Sequence, residues 1–242
     1  NMGHHLKRVV SPKSWGISRK TEKFVTKTSP GPHNKNALPI VVWARDQMGI
    51  VRNMKEVKHV LRERDILVNG RPVRHPDMGI GIFDIVSIPK SGKHYRILRD
   101  KKGRHITVPI DEEAASSRLV KITNKTLVKG GKIQLNLRDG SNVLTDKQYK
   151  PGDSIVLSLK EEQKNEIIDH FPFQAGNMAM IIGGKHSGIV GRIIERIAVP
   201  GSLSNRVILK NEMTDESFET IDEYVVMVGR ESPAIENWGI EE

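Results

Sequence analysis

Ile66-Leu67-Val68-Asn69-Gly70-Arg71-Pro72-Val73 joins two short apolar runs through an Asn-Gly pair. Asn-Gly supplies positive φ at both central positions of a type I′ turn, so the stretch reads as a tight β-hairpin. Just upstream, Asn53 with Glu56 three residues on makes a capping-box signature. Met54, Val57, Val60 and Leu61 then recur at helical spacing as one buried stripe, and Lys55, Lys58 and Arg62 share a different face. Further back, Pro39 opens Ile40-Val41-Val42-Trp43-Ala44, which Gly49 closes as a shorter helix. Downstream, Asp84-Ile85-Val86-Ser87-Ile88 reads as a strand ending at Pro89. Two helices, a hairpin and a strand make a compact α+β module over 38–91, with Arg45, Lys55, Lys58, Arg62, Arg64, Arg71 and Arg74 as its basic rim.

The stretch before this module is of another kind. Residues 1–37 hold eight Lys/Arg (Lys7, Arg8, Lys13, Arg19, Lys20, Lys23, Lys27, Lys35) against Glu22 alone, a net of 8 − 1 = +7 out of +10 for the chain. Apolar residues are sparse and unperiodic, and Pro12, Pro30, Gly31 and Pro32 punctuate the run. Such a segment buries too little surface to offset its ordering entropy, so it is expected to lack internal secondary structure and to take its shape from a partner. Basic side chains interleaved with Trp15, Phe24 and histidines suit contact with nucleic-acid phosphates and bases. Lys7, Arg8, Lys13, Arg19, Lys20 and Lys23 are the expected phosphate contacts. Trp15 either stacks on RNA or packs the leader onto the protein.

Beyond the module, residues 92–170 show period-two strands with turn signals, among them Lys102-Gly103 and Asp139-Gly140. They predict a small central β-barrel domain, with a helical insertion at Asp111–Ser117 and a linker helix at Gln163–His170. Residues 171–230 open on Gly176-Asn177-Met178-Ala179-Met180-Ile181-Ile182-Gly183-Gly184-Lys185-His186-Ser187-Gly188-Ile189-Val190-Gly191, a strand, glycine-rich turn and strand. Val207–Leu209, Phe218–Ile221 and Tyr224–Val228 are expected to add strands, and 231–242 is an acidic tail. Lys185 and His186 are the expected RNA contacts of this turn.

Charge falls along the chain: 12 − 7 = +5 over 37–100, 13 − 10 = +3 over 101–170, and 6 − 11 = −5 over 171–242. One end therefore faces a polyanion and the other tolerates solvent or basic neighbours. The absence of cysteine excludes disulfide frameworks and thiolate zinc sites. No apolar run approaches the ~20 residues that span a bilayer, and no apolar signal-peptide core is present. The chain reads as soluble, cytoplasmic and multi-domain.

Several of these stretches carry a resemblance. Helices leading into an Asn-Gly-Arg hairpin resemble the S-four-type RNA-binding domain, and Gly176–Gly191 looks like a KOW motif, the opening hairpin of a five-stranded barrel. His5-Leu6-Lys7-Arg8, Pro12-Lys13-Ser14-Trp15, Ser29-Pro30-Gly31-Pro32-His33 and Gly130-Gly131-Lys132-Ile133-Gln134-Leu135-Asn136-Leu137-Arg138-Asp139-Gly140, with Gly183-Gly184-Lys185-His186-Ser187-Gly188, resemble the small-subunit ribosomal protein S-four-e family, in its archaeal form. The resemblance implies a non-catalytic protein that binds small-subunit rRNA, neighbours other small-subunit ribosomal proteins, and does not homo-oligomerise. It implies no cofactor and no small-molecule substrate.

Two other readings are open to test. An RNA-modifying enzyme with an S-four-type domain would carry its catalytic Asp in an Arg-Leu-Asp context, and no such tripeptide occurs. Lys129-Gly130-Gly131-Lys132 and Gly183-Gly184-Lys185 lack the spacing of a phosphate-binding loop, and the histidines show no metal-ligand spacing on a helix. No catalytic or metal site is expected. A KOW-type transcription elongation factor would bind polymerase and has no need of so basic a leader.

Overall fold

The computed structural model describes residues 5–232, so most of the acidic tail lies outside the described residues. The chain divides into two compact units. One runs to Leu98 and includes Arg104–Arg118, and the other comprises Arg99–Gly103 and the chain from Leu119.

The first unit contains the α+β module. Asn69 and Gly70 take φ of 51° and 73°, as a type I′ turn requires, and Leu67–Val68 pairs with Arg71–Pro72. Helix Met54–Arg62 starts at Asn53, whose side-chain oxygen accepts from the Lys55 and Glu56 amides. Glu56 reaches back to the Arg52 amide at 2.7 Å, completing a capping box displaced by one residue. The first helix is shorter than expected: Ile40–Val42 is α-helical and Trp43–Gln47 widens into a π turn.

The sheet of this unit has the order Arg71–Pro72, Leu67–Val68, Ile85–Ile88, Lys93–Arg99, His105–Ile110. Lys93–Arg99 and His105–Ile110, read from sequence as part of the central β region, thus complete the module's sheet. Their alternation reveals strands but not neighbours. The core gathers Trp15, Val25, Leu38, Ile40, Trp43, Val57, Leu61, Val86 and Ile97.

The presence of Trp15 and Val25 in that core corrects the expectation of an unstructured leader. Leu6–Lys7 pairs antiparallel with Phe24–Val25, and Arg8–Val10 and Lys13–Trp15 are 3-10 turns. Backbone groups of the leader are satisfied by the module: the Ser29 amide donates to Asp77 O at 2.9 Å, and Gln47 Nε2 donates to Trp15 O at 2.7 Å. A few apolar side chains suffice because they dock on a surface that the module has already formed, with no amphipathic element of their own.

In the second unit, one sheet has the order Asn142–Thr145, Ile133–Leu137, Ser117–Leu127, Ser154–Ser158, Ile167–Phe171. Ile122, Leu135, Ile155 and Leu157 fill its core. The linker helix expected at Gln163–His170 is instead a hairpin. Asn165 turns the chain at φ 63°, its amide donates to Ser158 O at 2.9 Å, and Ile167–Phe171 pairs with Ser154–Ser158. Residues 111–117 form a single 3-10 turn, Ala114–Ser116, in place of the expected helix.

A second five-stranded sheet has the order Ser217–Ile221, Arg206–Asn211, Val190–Ile197, Met178–Ile181, Val225–Met227. The strands expected from sequence are all present in it. Lys121 Nζ donates to the carbonyls of Asp222 at 2.7 Å and Val225 at 2.8 Å, and burial lowers its pKa to about 8.

Gly191 shows how tightly the Val190–Ile197 strand is laid against its neighbour. A Cβ there would sit 2.8 Å from the Lys210 carbonyl oxygen, a backbone atom that cannot rotate away. Gly191→Ala is expected to cost about 1–3 kcal/mol through overpacking, read as a lower denaturation midpoint of the second unit.

Candidate nucleic-acid interface

The basic rim of the first unit is built by local rules. Lys55, Lys58 and Arg62 fall at i, i+3 and i+7 on helix Met54–Arg62, opposite the buried Val57 and Leu61, so all three are exposed. Arg64 turns the chain out of the helix at φ 58°, Arg71 follows the Asn-Gly turn, and Arg74 lies beyond the hairpin, each exposed. Arg52, which sequence reasoning did not single out, stands exposed beside the helix cap. None of these seven cations forms an ion pair among the described residues. Lys7, Lys13, Lys20 and Lys23 of the leader are also exposed.

The second unit handles its charges differently. On its last sheet Arg192 pairs with Glu212, Arg196 with Asp222, Arg206 with Glu219 and Lys210 with Asp215, at 2.8–3.2 Å. Arg230 pairs with Asp169 at 3.2 Å. These cations are matched within the unit. Those of the first unit's rim are left for an outside anion.

Several expected contact residues are committed inside the protein. Arg8 is 3 % exposed; its Nη2 donates to Asp46 Oδ1 at 2.9 Å and its Nε to Ser18 O. It is a structural cation, because desolvation makes a paired carboxylate its best partner. Trp15 takes the packing role: it is 2 % exposed, and its Nε1 donates to Ala37 O at 3.0 Å. Arg19 is half-buried and donates to Ser11 O at 2.9 Å and Val9 O at 3.3 Å, shaping the leader. Arg45 is held on the other oxygen of Asp46 at 3.0 Å but keeps part of its side chain in solvent.

In the glycine-rich turn Lys185 is exposed, as expected, whereas the His186 ring packs on Phe218 with centroids 4.5 Å apart. Phe218 lies on another hairpin, so no local signal marks His186 as a packing residue. Phe24 is the converse case. Its ring is 47 % exposed, with Lys23 Nζ 5.3 Å from its centroid and the His5 ring at 5.4 Å. The sequence shows it as an aromatic among charges, which is the signal that marks it.

Nothing in this arrangement resembles a reaction centre. Among the described residues no three His, Asp or Glu side chains are grouped to hold a metal ion, and no helix is long and apolar enough to cross a membrane. One carboxyl whose pKa is displaced, that of Asp84, is buried in the fold. Burial raises its pKa, but His33, Asn69 and Arg118 more than reverse this and hold it below the ordinary 3.8.

Known proteins match the chain along its whole length. Residues 2–36 match the RS4NT (NUC023) domain, and residues 91–164 match the ribosomal family S4e. A "Small ribosomal subunit protein eS4" from Methanospirillum hungatei is 90% identical over 241 residues, covering 100% of both chains. One from Archaeoglobus fulgidus is 45% identical over 226 residues, 93% of each. The crystal structure of the 30S ribosomal protein S4e from Thermoplasma acidophilum superposes with a TM-score of 0.68 at 26% identity, covering 81% of this chain and 96% of that one.

Proposed function

From the premise that the chain belongs to the ribosomal family S4e, we propose that it works as a constituent of the small ribosomal subunit, holding small-subunit rRNA through the basic rim of its first unit. The family is structural and not enzymatic. The observation that carries the RNA reading is the row of uncompensated cations at Arg52, Lys55, Lys58, Arg62, Arg64, Arg71 and Arg74, gathered on one helix, its cap and the adjoining hairpin, whereas the cations of the last sheet are paired. Ribosomal RNA is bound largely through phosphates and shape, and a rim of unpaired Lys and Arg on rigid elements suits it. Lys7, Lys13, Lys20 and Lys23 extend this surface along the leader, and Lys185 adds a contact from the glycine-rich turn. The helices and hairpin serve as an S-four-type module and the last sheet as a KOW-type barrel. The acidic C-terminal stretch, 171–242, is free to adjoin basic ribosomal proteins, in the cytoplasm.

Phosphate contacts release counterions, so affinity for a small-subunit rRNA transcript is expected to fall steeply with salt. Replacing Lys55, Lys58, Arg62 and Arg71 together by Gln is expected to reduce the slope of log K against log salt by about three. These side chains are exposed and unpaired, so the fold is expected to survive. An unchanged slope would move the RNA surface elsewhere on the chain. Co-sedimentation with small subunits, and not with RNA polymerase, tests the ribosomal assignment itself.

A further inference from the structure

A cavity of about 620 Å³ opens between the leader and the helical module of the first unit. That is within the range of about 300–1,000 Å³ usual for small-ligand sites. Lys23 and Phe24 line it from the leader, and Arg45, Asp46, Arg52 and Met54 from the module. Asp46 accepts Arg8 on Oδ1 at 2.9 Å and Arg45 on Oδ2 at 3.0 Å. Two guanidinium groups on one carboxylate leave a positive charge over. Arg52, unpaired among the described residues, and the exposed Lys23 add two more, against Glu22 alone. The walls thus combine excess cations with one large ring left half in solvent.

This combination suits one kind of ligand. A base taken out of its stack has two π faces and no neighbour, while the phosphates on either side of it remain anionic. An exposed aromatic ring next to Arg side chains answers both needs. A duplex does not fit, because its bases are stacked on each other and present only their edges.

We infer that this cavity receives one unstacked nucleotide of a single-stranded rRNA segment, its base against Phe24 and its flanking phosphates on Arg45 and Arg52. The inference rests on the RNA-binding reading above and adds a position to it. Arg8 contributes by fixing Asp46, and through it the guanidinium of Arg45. The pairing of Leu6–Lys7 with Phe24–Val25 fixes the ring at the cavity mouth.

The full chain is titrated with a uridine decamer bearing one central 2-aminopurine ribonucleotide, and separately with a small-subunit rRNA transcript. Stacking is worth about 1–3 kcal/mol per base, so Phe24→Leu is expected to weaken decamer binding about 5- to 150-fold. The salt slope should stay as in the wild type, since a stacking contact releases no counterion. Phe24→Tyr keeps the ring and should restore binding, with aminopurine fluorescence quenched on the complex. Arg52→Gln should instead reduce the slope by about 0.7. Wild-type affinity in Phe24→Leu, or equal losses in the Leu and Tyr variants, would overturn the assignment. So would capture of free AMP with no gain from neighbouring nucleotides. If the wild type binds the rRNA transcript but not the decamer, the nucleotide site falls while the ribosomal reading stands. If the transcript itself is not bound, both fall.

Discussion

Trp15→Ala is expected to destabilise the first unit by about 3–5 kcal/mol, the cost of a large aromatic removed from a closed core. The indole is 2 % exposed among Leu38, Trp43 and their neighbours, and it satisfies the Ala37 carbonyl. Its loss leaves a cavity and an unpaired acceptor together. Amide hydrogen exchange on the full chain reads the two units separately. Protection should fall across helix Met54–Arg62 and the strands from Leu67 to Ile110, and hold in the sheets after Leu119. Trp15→Phe keeps a ring but not the donor and should lose less. If Trp15→Ala left protection unchanged and weakened only RNA binding, the indole would be a contact residue and the leader an independent arm. The same logic applies to removing residues 1–36: the module would lose part of its core along with the leader's charge, so loss of RNA affinity in that deletion could not be credited to charge alone.

The leader also marks where the sequence is legible and where it is not. The Asn69-Gly70 turn and the Asn53 cap were readable because everything that determines them lies within four residues. The exposure of Lys55, Lys58 and Arg62 followed from the same short-range periodicity. Arg8 was not readable: its partner Asp46 is 38 positions away, and nothing near Arg8 distinguishes it from Lys7. Trp15 docks on a surface made by residues 37–44 and later, so its composition-averaged neighbourhood looked disordered while its real one is a core. The segment 163–170 failed for a related reason. Ile167-Ile168 fits a helix or a strand equally in isolation, and the hairpin with Ser154–Ser158 decides between them. Lys93–Arg99 and His105–Ile110 announced themselves as strands, but which sheet they join depends on pairing with Ile85–Ile88. At the site, the sequence shows which rim cations local geometry exposes and carries no sign of the side chains that a distant carboxylate or ring holds.

Asp84→Ala is expected to cost about 3–5 kcal/mol at neutral pH, because it removes the shared acceptor of a buried hydrogen-bond network and leaves several donors without a partner. Asp84 Oδ2 meets His33 Nε2 at 2.7 Å and accepts the Gly81 amide at 3.0 Å, and Oδ1 accepts Asn69 Nδ2 at 2.9 Å. Asn69 in turn accepts the Ile85 amide at 2.9 Å, so one carboxylate joins the end of the leader to the hairpin turn. A Cβ at Gly81 would run into the His33 ring, which packs directly on this backbone. The pH dependence separates charge from packing. The folded Asp84 carboxyl sits below its ordinary 3.8, so it binds a proton less readily folded than unfolded. Its contribution is therefore complete above about pH 4 and is lost as pH falls through the folded value. Urea unfolding of the first unit, followed by exchange protection, should show a wide gap between wild type and Asp84→Ala at pH 7. That gap should narrow as pH is lowered past the ordinary carboxyl value and through the folded one, where the wild-type carboxylate takes up its proton. Asp84→Asn keeps the shape without the charge and should fall between the two at pH 7 while losing less stability on acidification. A gap that persisted undiminished into acid would assign Asp84's role to packing, and the joint between leader and hairpin would then be held by shape instead of by the buried charge.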